Sequence, residues 1–364
     1  MKRPVTAPGT APVTAPGTAP GTAHVTTPVA SAVVTGVVSL RNLPAPAKIN
    51  LFLHVTGRRA DGYHLIETVF QFINLSDTVD LELRYDGLVV RVSDHIKVPE
   101  ETDLCVRAAL LLQKITGTSF GVSISLNKKI PMGGGLGGGS SDAATVLLGL
   151  NRLWACGLNR RQLAKIGLQL GADVPVFILG QNAYATGVGE QLLALTLPIH
   201  SIIVVKPAAH APTPAIFRAP ELTRNTKPIK IEGFTRASAP SSKASKHNSM
   251  RALPGRNDLE AVASNMFPEI ATALNGLKDI ARQLGLNPDR VRMSGSGACI
   301  FLVLNEISGE VARRDASNIS SPSDASNIAD WASKTAVITQ KIREQKLGKV
   351  FLVKSLASHP LHKL

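Results

Sequence analysis

Apolar and polar residues alternate at Val79, Leu81 and Leu83, at Leu88, Val90 and Val92, and at Val122, Ile124 and Leu126. A period of two marks strands with one buried face. Ile49 to Leu53 reads as an earlier strand, and Ser201 to Lys206 as an apolar strand stopped by Pro207. Val291–Met293 and Cys299–Leu304 read as strands on either side of a glycine turn, with a last strand around Phe351 and Val353. Helical spacing takes over elsewhere. Leu104, Ala108 and Leu111 share one face of a predicted helix over 103–112, and Ala143, Leu147, Leu150 and Trp154 line another over 140–155. Ser140, Ser141 and Asp142 are expected to cap the latter. A further helix is expected from Asn159 to Leu170, and one or two over 258–284 with a break near Pro268. Strands and helices alternate too irregularly for a doubly wound parallel sheet or a barrel, so the pattern predicts an α+β fold of two domains with a boundary near residue 200.

Several stretches escape this pattern. Residues 1–27 repeat Thr-Ala-Pro-Gly-Thr-Ala-Pro with small variations, which predicts a disordered low-complexity tail over 1–40 and ordered structure from near Ala45. Lys2 and Arg3 stand too far from the apolar-leaning run 28–40 for an export signal. The basic, Ser- and Ala-rich stretch 236–247 reads as an exposed loop. Asp-Ala-Ser-Asn-Ile occurs at 315–319 and again at 324–328, so 305–338 is expected to be an expanded surface loop. The formal charge of +14 suits nucleic acid, acidic lipid or a small phosphorylated ligand. No recognition helix, zinc spacing or basic–aromatic stripe supports the first. No apolar run is long enough for a membrane span. Cys105, Cys156 and Cys299 are odd in number and form no CxxC pair, which fits a reduced, cytoplasmic protein.

The most informative stretch is Pro131, Met132, Gly133, Gly134, Gly135, Leu136, Gly137, Gly138, Gly139, Ser140 and Ser141, between a predicted strand and a predicted helix. Residues without Cβ atoms let the backbone close on a ligand, and the amides at a helix start favour anions. The absence of a lysine after the glycines excludes the common P-loop, and the number of glycines departs from the dinucleotide fingerprint. A flexible surface loop before a capped helix is the plainer reading. Phosphoryl transfer also needs a positioned acceptor hydroxyl and charge stabilisation. Lys48 in Pro-Ala-Lys-Ile-Asn and Asp173 in Gly-Ala-Asp-Val-Pro lie at predicted element ends. On spacing alone, each is equally an ordinary surface charge.

Taken together, the ordered motifs resemble the GHMP kinases. They are Pro46–Leu51, Arg59-Ala60-Asp61-Gly62-Tyr63-His64, the glycine loop, Leu170–Phe177, Pro212–Phe217 and Gly295-Ser296-Gly297-Ala298-Cys299. The match spans about 44–304, and the Arg-Ala-Asp-Gly-Tyr-His motif narrows it to the branch acting on a cytidine diphosphate-linked sugar alcohol. The resemblance implies a two-domain fold with the active site in the interdomain cleft. The nucleotide-binding domain would cover 41–200 and the carboxy-terminal domain 201–364, with loop insertions near 236–247 and 305–338. It implies ATP as co-substrate, magnesium alongside it with no ligand assigned, and transfer to the 2-hydroxyl of 4-diphosphocytidyl-2-C-methyl-D-erythritol. Asp173 would take or orient the hydroxyl proton, Lys48 would stand beside it, and Asn50 would bind the acceptor end. Tyr63 and Phe217 would stack on cytosine, His64 would read its edge, and Thr213 would lie near the diphosphate. Pro131 to Ser141 would hold the ATP phosphates, and Gly295–Gly297 would close the site. Rival readings are another kinase of the family, acting on mevalonate or homoserine, or a non-catalytic nucleic-acid-binding protein. No nucleic acid or membrane partner is expected, and the chain would be a monomer or homodimer.

Overall fold

The structure, a computed structural model, describes residues 38–92, 98–229, 253–307 and 322–364. The repeat tail to residue 37 and the basic stretch 236–247 lie outside the described residues. Among the described residues ten strands form two sheets: β1 Ser39–Arg58, β2 His64–Arg84, β3 Val89–Arg91, β4 Gly121–Asn127, β5 Ala183–Thr186 and β6 Gln191–Ala194 in one, and β7 Ile199–Lys206, β8 Val291–Met293, β9 Ile300–Ile307 and β10 Lys349–Lys354 in the other. The first has the order β3-β4-β2-β5-β6 with β1 on β2, and the second the order β10-β7-β9-β8. All pairings are antiparallel except β3 with β4. The change of sheet falls between Ala194 and Ile199, while the described residues together form one compact unit.

The helices are α1 Leu104–Thr116, α2 Gly138–Leu153, α3 Arg160–Leu168, α4 Val174–Leu179, α5 Thr213–Arg218, α6 Asp258–Met266, α7 Pro268–Gln283 and α8 Pro322–Glu344. Asp103 caps α1 by accepting from the Cys105 amide, and Asn159 opens α3 with a reciprocal capping box to Gln162. Pro268 separates α6 from α7 as its spacing predicted.

Three apolar clusters explain the arrangement. In the first, Ala144, Leu147 and Leu150 of α2, Leu112 of α1 and Phe177 of α4 pack on Phe72, Leu81 and Ile124 of the first sheet. In the second, Ile270, Leu274 and Leu277 of α7 pack with Ile300 and Leu302 of the second sheet. The third lies between the sheets, where Ile49, Val69 and Ile73 meet Ile202, Val204, Phe301 and Val353. β1 passes through all three, with Ala45 in the first, Ala47, Ile49 and Leu51 in the third, and Leu53 and Val55 in the second. A strand covered on both faces loses its alternation. The buried run from Ala45 to Val55 shows no alternation for this reason, and β1 itself starts earlier, at Ser39, inside the expected tail, where Ser39 and Leu40 pair with Glu82 and Leu81 of β2.

Two expectations are corrected here. Residues 322–338 are helical, in α8, not part of a surface loop, and residues 305–307 finish β9. The second copy of the duplicated pentapeptide therefore sits in a helix, and the first lies outside the described residues. The residues after β10 do not stay with the second sheet. The Leu356 amide donates to the Phe72 carbonyl at 2.8 Å, Asn182 Nδ2 donates to the Leu356 carbonyl at 2.8 Å, and the His359 amide donates to the Gly180 carbonyl at 2.9 Å. The His359 ring then packs edge-on against Phe72 and Phe177, with centroids at 5.6 and 6.4 Å. The carboxy-terminal stretch is thus a prop under the first sheet and α4.

Candidate active site

Two glycine turns interlock at the centre of the site. Gly133, Gly135 and Gly137 all have φ near +70° (66°, 74° and 71°), the left-handed region that disfavours side chains. Space makes the same demand. A Cβ on Gly135 would overlap the Ser294 carbonyl, and one on Gly297 would overlap the Gly135 amide. The turns are joined by the Cys299 amide donating to the Gly134 carbonyl at 3.0 Å and by Ser294 Oγ donating to the Gly135 carbonyl at 3.1 Å. Asn257 fixes the second turn from behind, its Nδ2 donating to the Met293 and Gly295 carbonyls at 2.9 and 2.7 Å.

Lys48 reaches this junction from the middle of β1. Its amide donates to the Leu136 carbonyl at 2.9 Å. The side chain is 3% exposed, and the ammonium meets the Asn50 Oδ1 at 2.7 Å, the Gly135 carbonyl at 3.1 Å and Asp173 Oδ2 at 3.2 Å. These acceptors match its three donors, and the Phe70 ring lies 5.2 Å away. Asn50 is oriented in turn by donating from Nδ2 to Thr68 Oγ1 at 2.9 Å. Asp173 stands at the start of α4 with its side chain 34% exposed and makes no capping bond, so its carboxylate is held by Lys48 yet open to solvent. Phe177 of the same short helix would lie 2.9 Å from a Cβ on Gly137. The glycine loop, Lys48 and Asp173 therefore share one packed junction.

A cavity of about 300 Å³ opens on the outer side of the loop. Pro131 through Gly139 line it, with Asp103, Leu104, Lys128 and Asp142. The start of the sixteen-residue helix α2 adds unbonded amides and a positive dipole end, the features that hold phosphate. Two expected residues do not line this cavity. Ser141 is fully buried and donates its hydroxyl to the Pro46 carbonyl at 2.7 Å, and Ser140 is absent from the wall. Nor do Ser140, Ser141 and Asp142 cap α2, whose N-cap position is Gly137, with no side-chain cap. Asp142 instead shares Lys128 with Asp77, at 2.6 and 2.5 Å from the ammonium. Asp77 also accepts from the Lys129 and Ile130 amides, so it is the better satisfied of the two. Burial, reinforced by Asp77 and opposed by Lys128, pushes the Asp142 carboxyl up to about 7.

A second group of expected residues gathers at the tip of the β1–β2 hairpin. The His64 and Phe217 rings lie 5.0 Å apart at 36°, and Arg224 Nε donates to His64 Nε2 at 3.1 Å. Thr213 Oγ1 and Ser296 Oγ are 2.6 Å apart, which ties α5 to the second glycine turn. Tyr63 is 64% exposed and makes no ring contact among the described residues. Sequence reasoning missed Thr68, Arg224, Asn257 and Ser294. Only Ser294 had a local signal, its place directly before the second glycine turn. Among the described residues no group of three or more His, Cys, Asp or Glu side chains is placed to hold a metal. No helix among them is long and apolar enough to cross a membrane.

Comparison with known proteins shows the family. Residues 103–181 match the GHMP kinases N terminal domain. The chain is 50% identical over 273 residues to a 4-diphosphocytidyl-2-C-methyl-D-erythritol kinase of Herminiimonas arsenicoxydans, covering 74% of this chain and 88% of that protein. It is 53% identical over 262 residues to the enzyme of the same name from Cupriavidus metallidurans, covering 72% and 84%. A crystal structure of 4-(cytidine 5'-diphospho)-2C-methyl-D-erythritol kinase superposes with a TM-score of 0.62 at 33% identity, over 87% of this chain and 98% of the other. Homoserine kinase from Cytophaga hutchinsonii shares the fold alone, with a TM-score of 0.54 at 17% identity over 89% of this chain and 96% of that one. The chain therefore belongs to the 4-diphosphocytidyl-2-C-methyl-D-erythritol kinases, an α+β, two-domain branch of the GHMP kinases.

Proposed function

We propose that the junction of Lys48, Asp173 and the glycine loop transfers the terminal phosphoryl group of ATP to the 2-hydroxyl of 4-diphosphocytidyl-2-C-methyl-D-erythritol, a step of non-mevalonate isoprenoid precursor synthesis. One observation carries the assignment. Lys48 bonds both Asp173 and the carbonyl of Gly135, so the proton acceptor and the phosphate cradle are held by one ammonium. The hydroxyl oxygen forms the new bond to the γ-phosphorus as the bond to the bridging oxygen breaks. Its proton passes to Asp173, and ADP leaves. Asn50 orients the acceptor end, and Lys48 offsets charge on the transferring oxygens. The loop from Gly133 to Gly139 holds the polyphosphate through backbone amides, supported by the left-handed φ angles and tight clearances at Gly133, Gly135 and Gly137.

At the far end of the substrate, Phe217 and Tyr63 stack on cytosine and His64 reads its edge. The exposed Tyr63 ring is free to close over a base already resting on Phe217. Magnesium travelling with ATP needs at most one or two protein carboxylates, and no step above is routed through it. The three free thiols, Cys105, Cys156 and Cys299, support a cytoplasmic protein. The test is ADP release with the cytidyl substrate beside mevalonate and homoserine. Turnover with the first alone is expected, and comparable turnover with either of the others overturns the substrate assignment.

A further inference from the structure

Arg224 and His64 meet across 160 positions of sequence. A guanidinium nitrogen only donates, so His64 Nε2 accepts, and the proton of the neutral imidazole resides on Nδ1. The rest of the guanidinium is committed elsewhere. Nη2 donates to the Phe217 and Ala219 carbonyls at 3.1 and 2.7 Å, and Nη1 to the Leu222 carbonyl at 3.0 Å. Rotating away from His64 would thus disturb the end of α5, which carries Phe217. Burial, followed by the charges of Arg224 and Arg58, holds the imidazole below its usual range and keeps it neutral.

We propose that Arg224 is a positioning residue that fixes His64 as an Nδ1–H donor, so that the site selects a pyrimidine with an unprotonated ring nitrogen, cytosine, over uracil. Cytosine N3 accepts a hydrogen bond, whereas uracil N3 carries a hydrogen and would face the His64 proton head-on. A site built around one donor rejects a ligand that leaves it unpaired. The inference rests on His64 as the reader of the base edge.

Nitrogen-15 spectra of the full-length protein at pH 7.5, with His64 assigned by difference from His64→Gln, test the tautomer directly. A protonated Nδ1 with a bare Nε2 is expected. Protonation at Nε2, or at both nitrogens, overturns the proposal, and this measurement needs no stable variant at Arg224. In Arg224→Met the two tautomers should mix, and the preference in kcat/KM for the cytidine substrate over its uridine counterpart should fall at least tenfold. The loss should appear in KM, with kcat little changed. Arg224→Lys, which keeps a charge and a donor, should recover part of it. An undiminished preference in Arg224→Met overturns the proposal. A His64→Ala variant with unchanged KM would instead show that the base is read elsewhere, whatever tautomer the spectra report.

Discussion

Asp173 and Lys48 are bound to one another but play unequal structural parts. The Asp173 carboxylate is partly exposed and caps nothing, so Asp173→Ala removes the proton acceptor without opening a cavity. Turnover is expected to fall 10²- to 10⁴-fold, the usual range for a lost general base, with the melting temperature nearly unchanged. Near-normal steady-state turnover in that variant would remove Asp173 from the mechanism. Lys48 is buried and satisfies three acceptors, so Lys48→Met should cost both activity and stability. Gly135 makes the sharpest case for backbone geometry. Gly135→Ala meets both a left-handed φ and the Ser294 carbonyl, so it should destabilise by at least about 2 kcal/mol and raise the KM for ATP. Urea unfolding alongside ATP titration checks this, and an unperturbed variant would show that the two turns are not locked together. The glycine loop was legible in sequence because its constraint is local: six glycines in seven positions admit few conformational explanations. Lys48 and Asp173 were not legible from spacing, and only the resemblance of their motifs to a known family marked them out. Arg224 was not legible, because its function depends on a partner 160 residues away and leaves no periodic trace.

Among the elements, α4 has the most to hold in place with the least length. Six residues carry Asp173 at their start and press Phe177 against both Gly137 and the His359 ring. So short a helix has little stability of its own and depends on packing. Its outer support is the carboxy-terminal stretch, clamped by Asn182 and by Arg160 Nη2 donating to the Leu361 carbonyl at 2.6 Å. Ending the chain after Lys354 should therefore lower kcat as well as the melting temperature, although no residue of 355–364 touches the reacting groups. Full activity in that truncation would separate α4 from its prop. The pattern of apolar residues located most elements to within a few positions, but could not find this docking, which uses backbone bonds and a histidine. It also underestimated β1, whose double burial erases the alternation on which strand reading relies. The duplicated pentapeptide misled for a related reason, since its small polar composition concealed the start of α8.

At the scale of the whole molecule, buried ionisable groups set the response to acid. Burial, aided by nearby Arg290, holds His200 down at about 4, and burial with Arg160 and His362 holds His359 at about 3. Both rings are neutral in the fold, while the unfolded chain protonates each near 6.5. Their contribution is thus present above pH 6.5 and is lost as pH falls toward 4. Asp142, at about 7, works the other way: the folded chain takes up its proton first as pH falls from 7 toward the ordinary carboxylate range. Two protons against one leave these three groups a net loss of about 1.4 kcal/mol per pH unit between roughly pH 6 and 4.5. Urea unfolding at several pH values should show that slope flattened in His359→Gln and steepened in Asp142→Asn. Unchanged slopes would mean that these groups do not govern the response.

The docking of residues 355–362 beneath α4 also bears on how the enzyme is made. Translation delivers Lys48, the glycine loop and Asp173 long before His359. A growing chain can thus carry every group needed for chemistry while Phe177 still lacks its contact with the His359 ring. Full activity should therefore arrive late, once residues 355–362 have left the ribosome and docked beneath α4.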